Sequence, residues 1–215
     1  MSAAAWVVAC AVCVAALLAA EYRAWRPGVW LAKPLAACCF IGLALQQGAL
    51  DSSYGICVLA ALVACWWGDV LLIPNEAPRS FLAGLACFLT GHLGFVVAFL
   101  VRGVSPGATL VAAPLIGLAG FAILRWLRPH VPGDMQIPVL AYVVVIGAML
   151  ALAIGTVSQT WSSFEILGAS MFVVSDLAVA RDRFVSANFW NGAWGLPLYF
   201  GGQLLLAASV AGAAA

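Results

Sequence analysis

Eight apolar runs separated by short polar breaks leave this 215-residue chain one broad architecture. The runs are residues 3–20, 30–47, 54–73, 80–101, 108–126, 136–154, 163–180 and 190–211. A bilayer crossing takes about 20 apolar residues, and backbone inside hydrocarbon must satisfy its own polar groups, so such runs fold as helices. The breaks carry turn residues or charge, as in the Pro-Asn-Glu-Ala-Pro stretch that starts at Pro74. None is long enough for a soluble domain. The expectation is an all-helical integral membrane protein, one polytopic domain over residues 1–215 with about eight transmembrane helices. With only 8% charged residues, the chain is far below the roughly one quarter of soluble domains. A net charge of +1 argues against a broad nucleic-acid surface.

The loops orient the bundle. Arg23, Arg26, Arg79, Arg125, Arg128, Arg181 and Arg183 fall in or beside connections 1–2, 3–4, 5–6 and 7–8, and only Arg102 falls on the other side. Basic residues favour the cytoplasmic loops, so both termini are expected on the non-cytoplasmic side of the membrane, which in a bacterium would be the inner membrane. The N-terminal MSAAAW has no basic region ahead of its apolar stretch, which reads as a retained span rather than a cleaved signal. Seven cysteines lie inside apolar runs, and the Cys10-Ala-Val-Cys13 pair reads as small packing residues.

Ionisable groups at membrane depth are costly and need a reason to be there. At about 1.5 Å per residue, Lys33 falls in the first turn of span 2 and Asp69 about one turn from the end of span 3. Asp176 has the matching position in span 7, Tyr142 lies less than two turns into span 6, and Asn191 opens span 8. His92 lies near mid-bilayer, and Glu165 stands apart at the far end of span 7. The polar groups therefore gather in the cytoplasmic half from five or six helices. In span 4, Phe81, Leu85, Phe88, His92, Phe95 and Phe99 form one stripe, and Ala83, Cys87 and Gly91 form a small-residue ridge beside it. In span 8, Asn191, Gly195, Tyr199 and Gln203 recur every four residues, a polar stripe that cannot face lipid. The strings WWGDVLL and VVSDLAV echo one another four spans apart.

Each of these residues has a plain structural reading. The aspartates can pair with Arg79 or Arg181, His92 can be a satisfied core histidine, and Lys33 can snorkel to the interface. Tyr142, Asn191, Tyr199 and Gln203 can be hydrogen-bond glue between helices. The chemical reading starts from two carboxylates in matching places. In a half-dry cavity they can divide into a protonated acid and an ionised base, with His92 moving protons. Lys33, beside Pro34 at a helix start, can hold a lipid phosphate together with Arg79. No GxSxG nucleophile elbow occurs, and Ser175 points about 100° away from Asp176. With only His92 and the loop residue His130, a histidine-rich zinc site is not expected; an aspartate-rich site stays open, and no metal or cofactor is assigned.

Taken in order, Lys33-Pro34-Leu35, Gly68-Asp69, Phe81, Gly84, Phe88, His92, Phe95, Tyr142, Ser175-Asp176, Tyr199 and Gly202-Gln203 resemble the YhhN family of membrane lysoplasmalogenases. The set runs from span 2 to span 8. One departure is Phe95, where that family's pattern has a tyrosine. The resemblance implies a lysophospholipid substrate, a lysoplasmalogen within the membrane lipids. Its vinyl-ether bond would be hydrolysed to a fatty aldehyde and glycerophosphoethanolamine or glycerophosphocholine. Asp69 and Asp176 would then be the acid–base pair, His92 would assist, Lys33 with Arg79 would take the phosphate, and Tyr142, Asn191, Tyr199 and Gln203 would be further substrate-binding residues. Two other functions compete: an intramembrane aspartyl protease, and a proton-coupled transporter of a small amphiphile. The transporter would be marked by helices broken at mid-membrane.

Overall fold

The computed structural model describes residues 2–74, 78–160 and 163–212. Among the described residues eight α-helices follow one another: α1 (Ala3–Tyr22), α2 (Arg26–Gln46), α3 (Ser53–Leu71), α4 (Pro78–Arg102), α5 (Pro106–Leu127), α6 (Gln136–Thr160), α7 (Phe164–Ala180) and α8 (Phe189–Ala208). No strand occurs among the described residues. All helices except α7 are long and apolar enough to cross a bilayer alone. Alternate apolar and charged segments of this length define a multi-pass integral membrane protein.

The 17 residues of α7 span about 26 Å at about 1.5 Å each, slightly short of a full crossing. Side-chain pairing sets its depth. Glu165 at its start meets Arg102 at the end of α4, and Asp176 meets His92. Thus α7 runs antiparallel to α4 through the same layer. A π-helical turn, Arg181–Val185, prolongs it towards α8.

Several boundaries differ from those expected. Helix α2 starts at Arg26, four residues before the apolar run, because Pro27 suits a first turn. Pro34 is therefore inside the helix and Lys33 is about two turns in, not in the first turn. The helix stays continuous, and the Pro34 carbonyl accepts a hydrogen bond from Trp66 Nε1 at 3.2 Å, tying α2 to α3. Helix α6 continues to Thr160, past the break expected from residue 156. Residues 75–77 of the Pro-Asn-Glu-Ala-Pro turn, and 161–162 of the 156–162 break, lie outside the described residues.

The helices pack as hairpins α1–α2, α3–α4, α5–α6 and α7–α8, most closely α3 with α4 and α7 with α8. Contacts then run α1–α2–α3–α4–α6–α7–α8 and back to α1 and α2, closing a ring. Glycines set the tightest approach. A Cβ on Gly202 of α8 would stand 2.8 Å from the Gly168 carbonyl of α7, and one on Gly168 would stand 2.9 Å from the Gly202 carbonyl. Only two glycines let these backbones meet. The buried core contains Phe40, Phe95, Phe99, Phe172 and Phe200. Helix α5 stands outside the ring and leans chiefly on α6, with Ala112 and Leu127 its buried residues.

Candidate active site

A cavity of about 930 Å³ opens at the arginine-rich end of the bundle. Its polar wall comes from the ends of α2, α3, α7 and α8, and its apolar wall from Ile116 and Ile123 of α5 and Val143, Ile146 and Leu150 of α6. Asp69 and Asp176 both line it.

Each carboxylate has its own pair of partners. Asp69, 1% exposed on α3, accepts a hydrogen bond from Tyr199 Oη to Oδ2 at 2.7 Å. Its Oδ1 stands 3.7 Å from Lys33 Nζ. Tyr199 donates to one oxygen and Lys33 faces the other as an ion pair, so Asp69 has a donor on one side and a cation on the other. Asp176 on α7 has Oδ2 3.3 Å from His92 Nε2, and Tyr142 is its second hydrogen-bonding neighbour. The sheath around this pair is aromatic: His92 stacks on Phe172 at 4.2 Å, and the Tyr142 ring stands edge-on to it at 5.2 Å.

Backbone fixes the protonation pattern of the imidazole. His92 Nδ1 is 2.7 Å from the carbonyl of Phe88, one turn earlier on α4. A carbonyl oxygen only accepts, so Nδ1 carries a proton and Nε2 is the exchanging nitrogen. Nε2 faces Asp176 Oδ2 at 3.3 Å without a hydrogen bond of good geometry. Asp69 and Asp176 are not interchangeable: one faces an ammonium and a phenol, the other an imidazole and a phenol.

The remaining candidates separate. Asn191 is buried and lines the cavity, but its amide is committed: Oδ1 accepts from Arg181 at 3.0 Å, and Nδ2 donates to Asp182 Oδ1 at 2.9 Å and Ser186 O at 2.7 Å. It fastens the π-helical turn to α8. Gln203 is fully buried one turn above Tyr199 and is not among the cavity-lining residues. Arg79 is exposed and is not among them either, because the start of α4 turns it outward. Ser175 donates to the Phe172 carbonyl at 2.6 Å, so its hydroxyl is directed into its own helix. Phe95 is fully buried, stacked with Phe99 and edge-on to Phe172, so this position serves packing.

Four charged residues at the mouth were not singled out from the sequence as site residues: Arg26, Arg183, Glu21 and Asp182. Arg26 donates to the Ile73 carbonyl at 3.1 Å, and Arg183 lies 4.3 Å over the Phe81 ring. Spacing carried a usable signal. Arg26 precedes Lys33 by seven residues, and Arg183 follows Asp176 by seven, so each shares a helix face with a site residue two turns away. No cluster of three or more metal-binding side chains occurs among the described residues.

Fold and site together define a polytopic helical membrane protein with a two-carboxylate cavity open at one end. Sequence comparison makes this specific. A profile of the YhhN family matches residues 28–210, and the chain belongs to the YhhN family. Lysoplasmalogenase TMEM86B of Homo sapiens is 34% identical over 181 residues, 83% of this chain and 74% of the relative. The Rattus norvegicus protein of the same name is 29% identical over 95% of this chain and 81% of its own length. A lysoplasmalogenase of Mycobacterium tuberculosis (strain CDC 1551 / Oshkosh) is 32% identical over 61% of this chain and 51% of the relative. No solved structure matches the chain.

Proposed function

We propose that this protein is a lysoplasmalogenase-like hydrolase that cleaves the vinyl-ether bond of a lysoplasmalogen. The observation that carries the reading is two differently partnered carboxylates in one half-apolar cavity, within a family whose relatives bear the name lysoplasmalogenase. About 930 Å³ is near the top of the ~300–1,000 Å³ range of small-molecule sites, ample for a single-chain lipid. The alkenyl chain would lie along α5 and α6, with the head group at the mouth. Lys33, with Arg26 or Arg183 in place of Arg79, would hold the phosphate. The arginine bias supports a mouth on the cytoplasmic side and both termini on the other.

The chemistry needs a proton on the vinyl carbon remote from oxygen, which leaves an oxocarbenium ion. Water then adds to the carbon bonded to oxygen and loses a proton, and the hemiacetal collapses to a fatty aldehyde and a glycerophospho-alcohol. The net change is consumption of one water. The His92–Asp176 pair is suited to donate the proton, since a proton on either group lies 3.3 Å from a second basic atom that can replace it. Asp69, hydrogen-bonded by Tyr199 and facing the Lys33 ammonium, is suited to face the cation and to take the proton from water, as paired carboxylates do at glycosidic bonds. The transporter alternative expected broken helices, yet α2, α5 and α8 run unbroken through Pro34, Pro114 and Pro197.

Purified protein incubated with lysoplasmenylethanolamine is expected to release long-chain aldehyde; intact substrate after prolonged incubation would sink the proposal. Lys33→Met is expected to raise KM for that substrate about tenfold or more, the loss of a charge-assisted phosphate contact. KM for a phosphate-free alkenylglycerol should stay unchanged. An equal rise for both would remove Lys33 from the phosphate site.

A further inference from the structure

Buried polar groups find partners, which makes Gln203 conspicuous. It is fully buried on α8, and among the described residues neither Oε1 nor Nε2 makes a hydrogen bond of good geometry. Its polar neighbour across the helix interface is the thiol of Cys65, at most a weak partner. Two rungs thus join α3 and α8 one helical turn apart: Asp69 with Tyr199, and Cys65 with Gln203. Cys65 stands within electrostatic reach of both Asp69 and Asp176. Two further atoms in this layer, His92 Nε2 and Asp176 Oδ2, also lack a hydrogen bond of good geometry although they face each other at 3.3 Å. The amide is therefore a donor and an acceptor placed one turn behind the carboxylates, outside the wall that a lipid would touch.

We infer that Gln203 is a positioning residue that binds the water consumed in the reaction, delivering it to the carboxylate layer from behind. A lipid filling the mouth blocks bulk water from the cytoplasmic side, so the nucleophile needs its own berth. A primary amide meets both needs of a water molecule, accepting one of its protons and donating to its oxygen. Asp69, one turn below, is then the acceptor for the proton released when that water adds. The catalytic part of this inference rests on the hydrolase reading; the water site does not.

X-ray-generated hydroxyl-radical labelling in H₂¹⁸O tests it, because a bound water makes the radical in place. Cys10 supplies an internal control, a thiol equally buried but bonded to the Ala36 carbonyl. Cys65 is expected to gain ¹⁸O several-fold faster than Cys10, and Gln203→Met to bring it down to the Cys10 rate. In the same variant kcat should fall severalfold with KM unchanged. Equal labelling of the two thiols in the unmodified protein overturns the water site, whether or not the variant folds. An unchanged kcat in a folded Gln203→Met protein overturns the positioning role. Rapid Cys65 labelling in a protein that releases no aldehyde upholds the water site and removes the hydrolase reading instead.

Discussion

Asp69→Asn and Asp176→Asn are each expected to lower aldehyde release by about 10²–10⁴-fold, the usual worth of a positioned acid or base. Both changes keep shape and volume. An amide at position 69 can still accept from Tyr199, but it offers Lys33 no anion and, in the reaction proposed, could not take a proton from water. An amide at position 176 could not carry the acid proton that the reaction proposed assigns to the Asp176–His92 pair. Aldehyde would be followed by mass spectrometry, with size-exclusion profile and thermal melting in detergent as checks on folding. Near-normal turnover in both folded variants would end the two-carboxylate mechanism. His92→Gln offers a finer reading of the Asp176 partner, since it separates proton sharing from simple packing on Phe172.

The largest expected effect on stability is elsewhere. Glu165 is fully buried on α7 and meets Arg102 Nε of α4 at 3.1 Å. The same guanidinium lies 4.4 Å over the Tyr54 ring and donates to the Ser209 carbonyl, while Tyr54 Oη and Ser209 Oγ share a 2.6 Å hydrogen bond. This cluster clasps α3, α4, α7 and the end of α8 at the face remote from the cavity. Glu165→Ala strands a cation in an apolar setting, and is expected to cost about 3–5 kcal/mol. The paired change Arg102→Met with Glu165→Leu removes both charges and should recover most of that loss. Unfolding midpoints in detergent give the comparison. A double variant as unstable as Glu165→Ala would show that packing, rather than the stranded charge, sets the cost.

The positions of the spans were legible because a bilayer imposes length and polarity directly on the sequence. Helix α7 was legible too, although its extent follows from side-chain pairing with α4 rather than from its 17 residues. Helix starts were less so: Pro27 and Pro34 both suit a first turn, and hydropathy alone favoured the later one. The depth of each polar residue could be counted along its own helix, whereas its azimuth could not. Hence Arg102 and Glu165 each stood out as an anomaly on the same side without being recognisable as a pair. For the same reason Asn191 and Gln203 looked equivalent on one stripe. Yet Asn191 is tied to a turn and Gln203 sits behind the carboxylates. Arg79 and Arg26 were both loop arginines, and only the folded turn separates the outward one from the inward one.

The cavity's unequal walls, charged at the mouth and hydrocarbon along α5 and α6, bear on what happens after bond cleavage. For the reaction proposed, one product is a water-soluble glycerophospho-alcohol and the other a long-chain aldehyde soluble only in lipid. The mouth gives the first an exit to the aqueous phase. Helix α5, leaning chiefly on a single neighbour, is the weakest partition between the second and the surrounding bilayer. Products that depart into different phases rarely meet again, so the geometry would make the reaction run one way by partition as well as by chemistry.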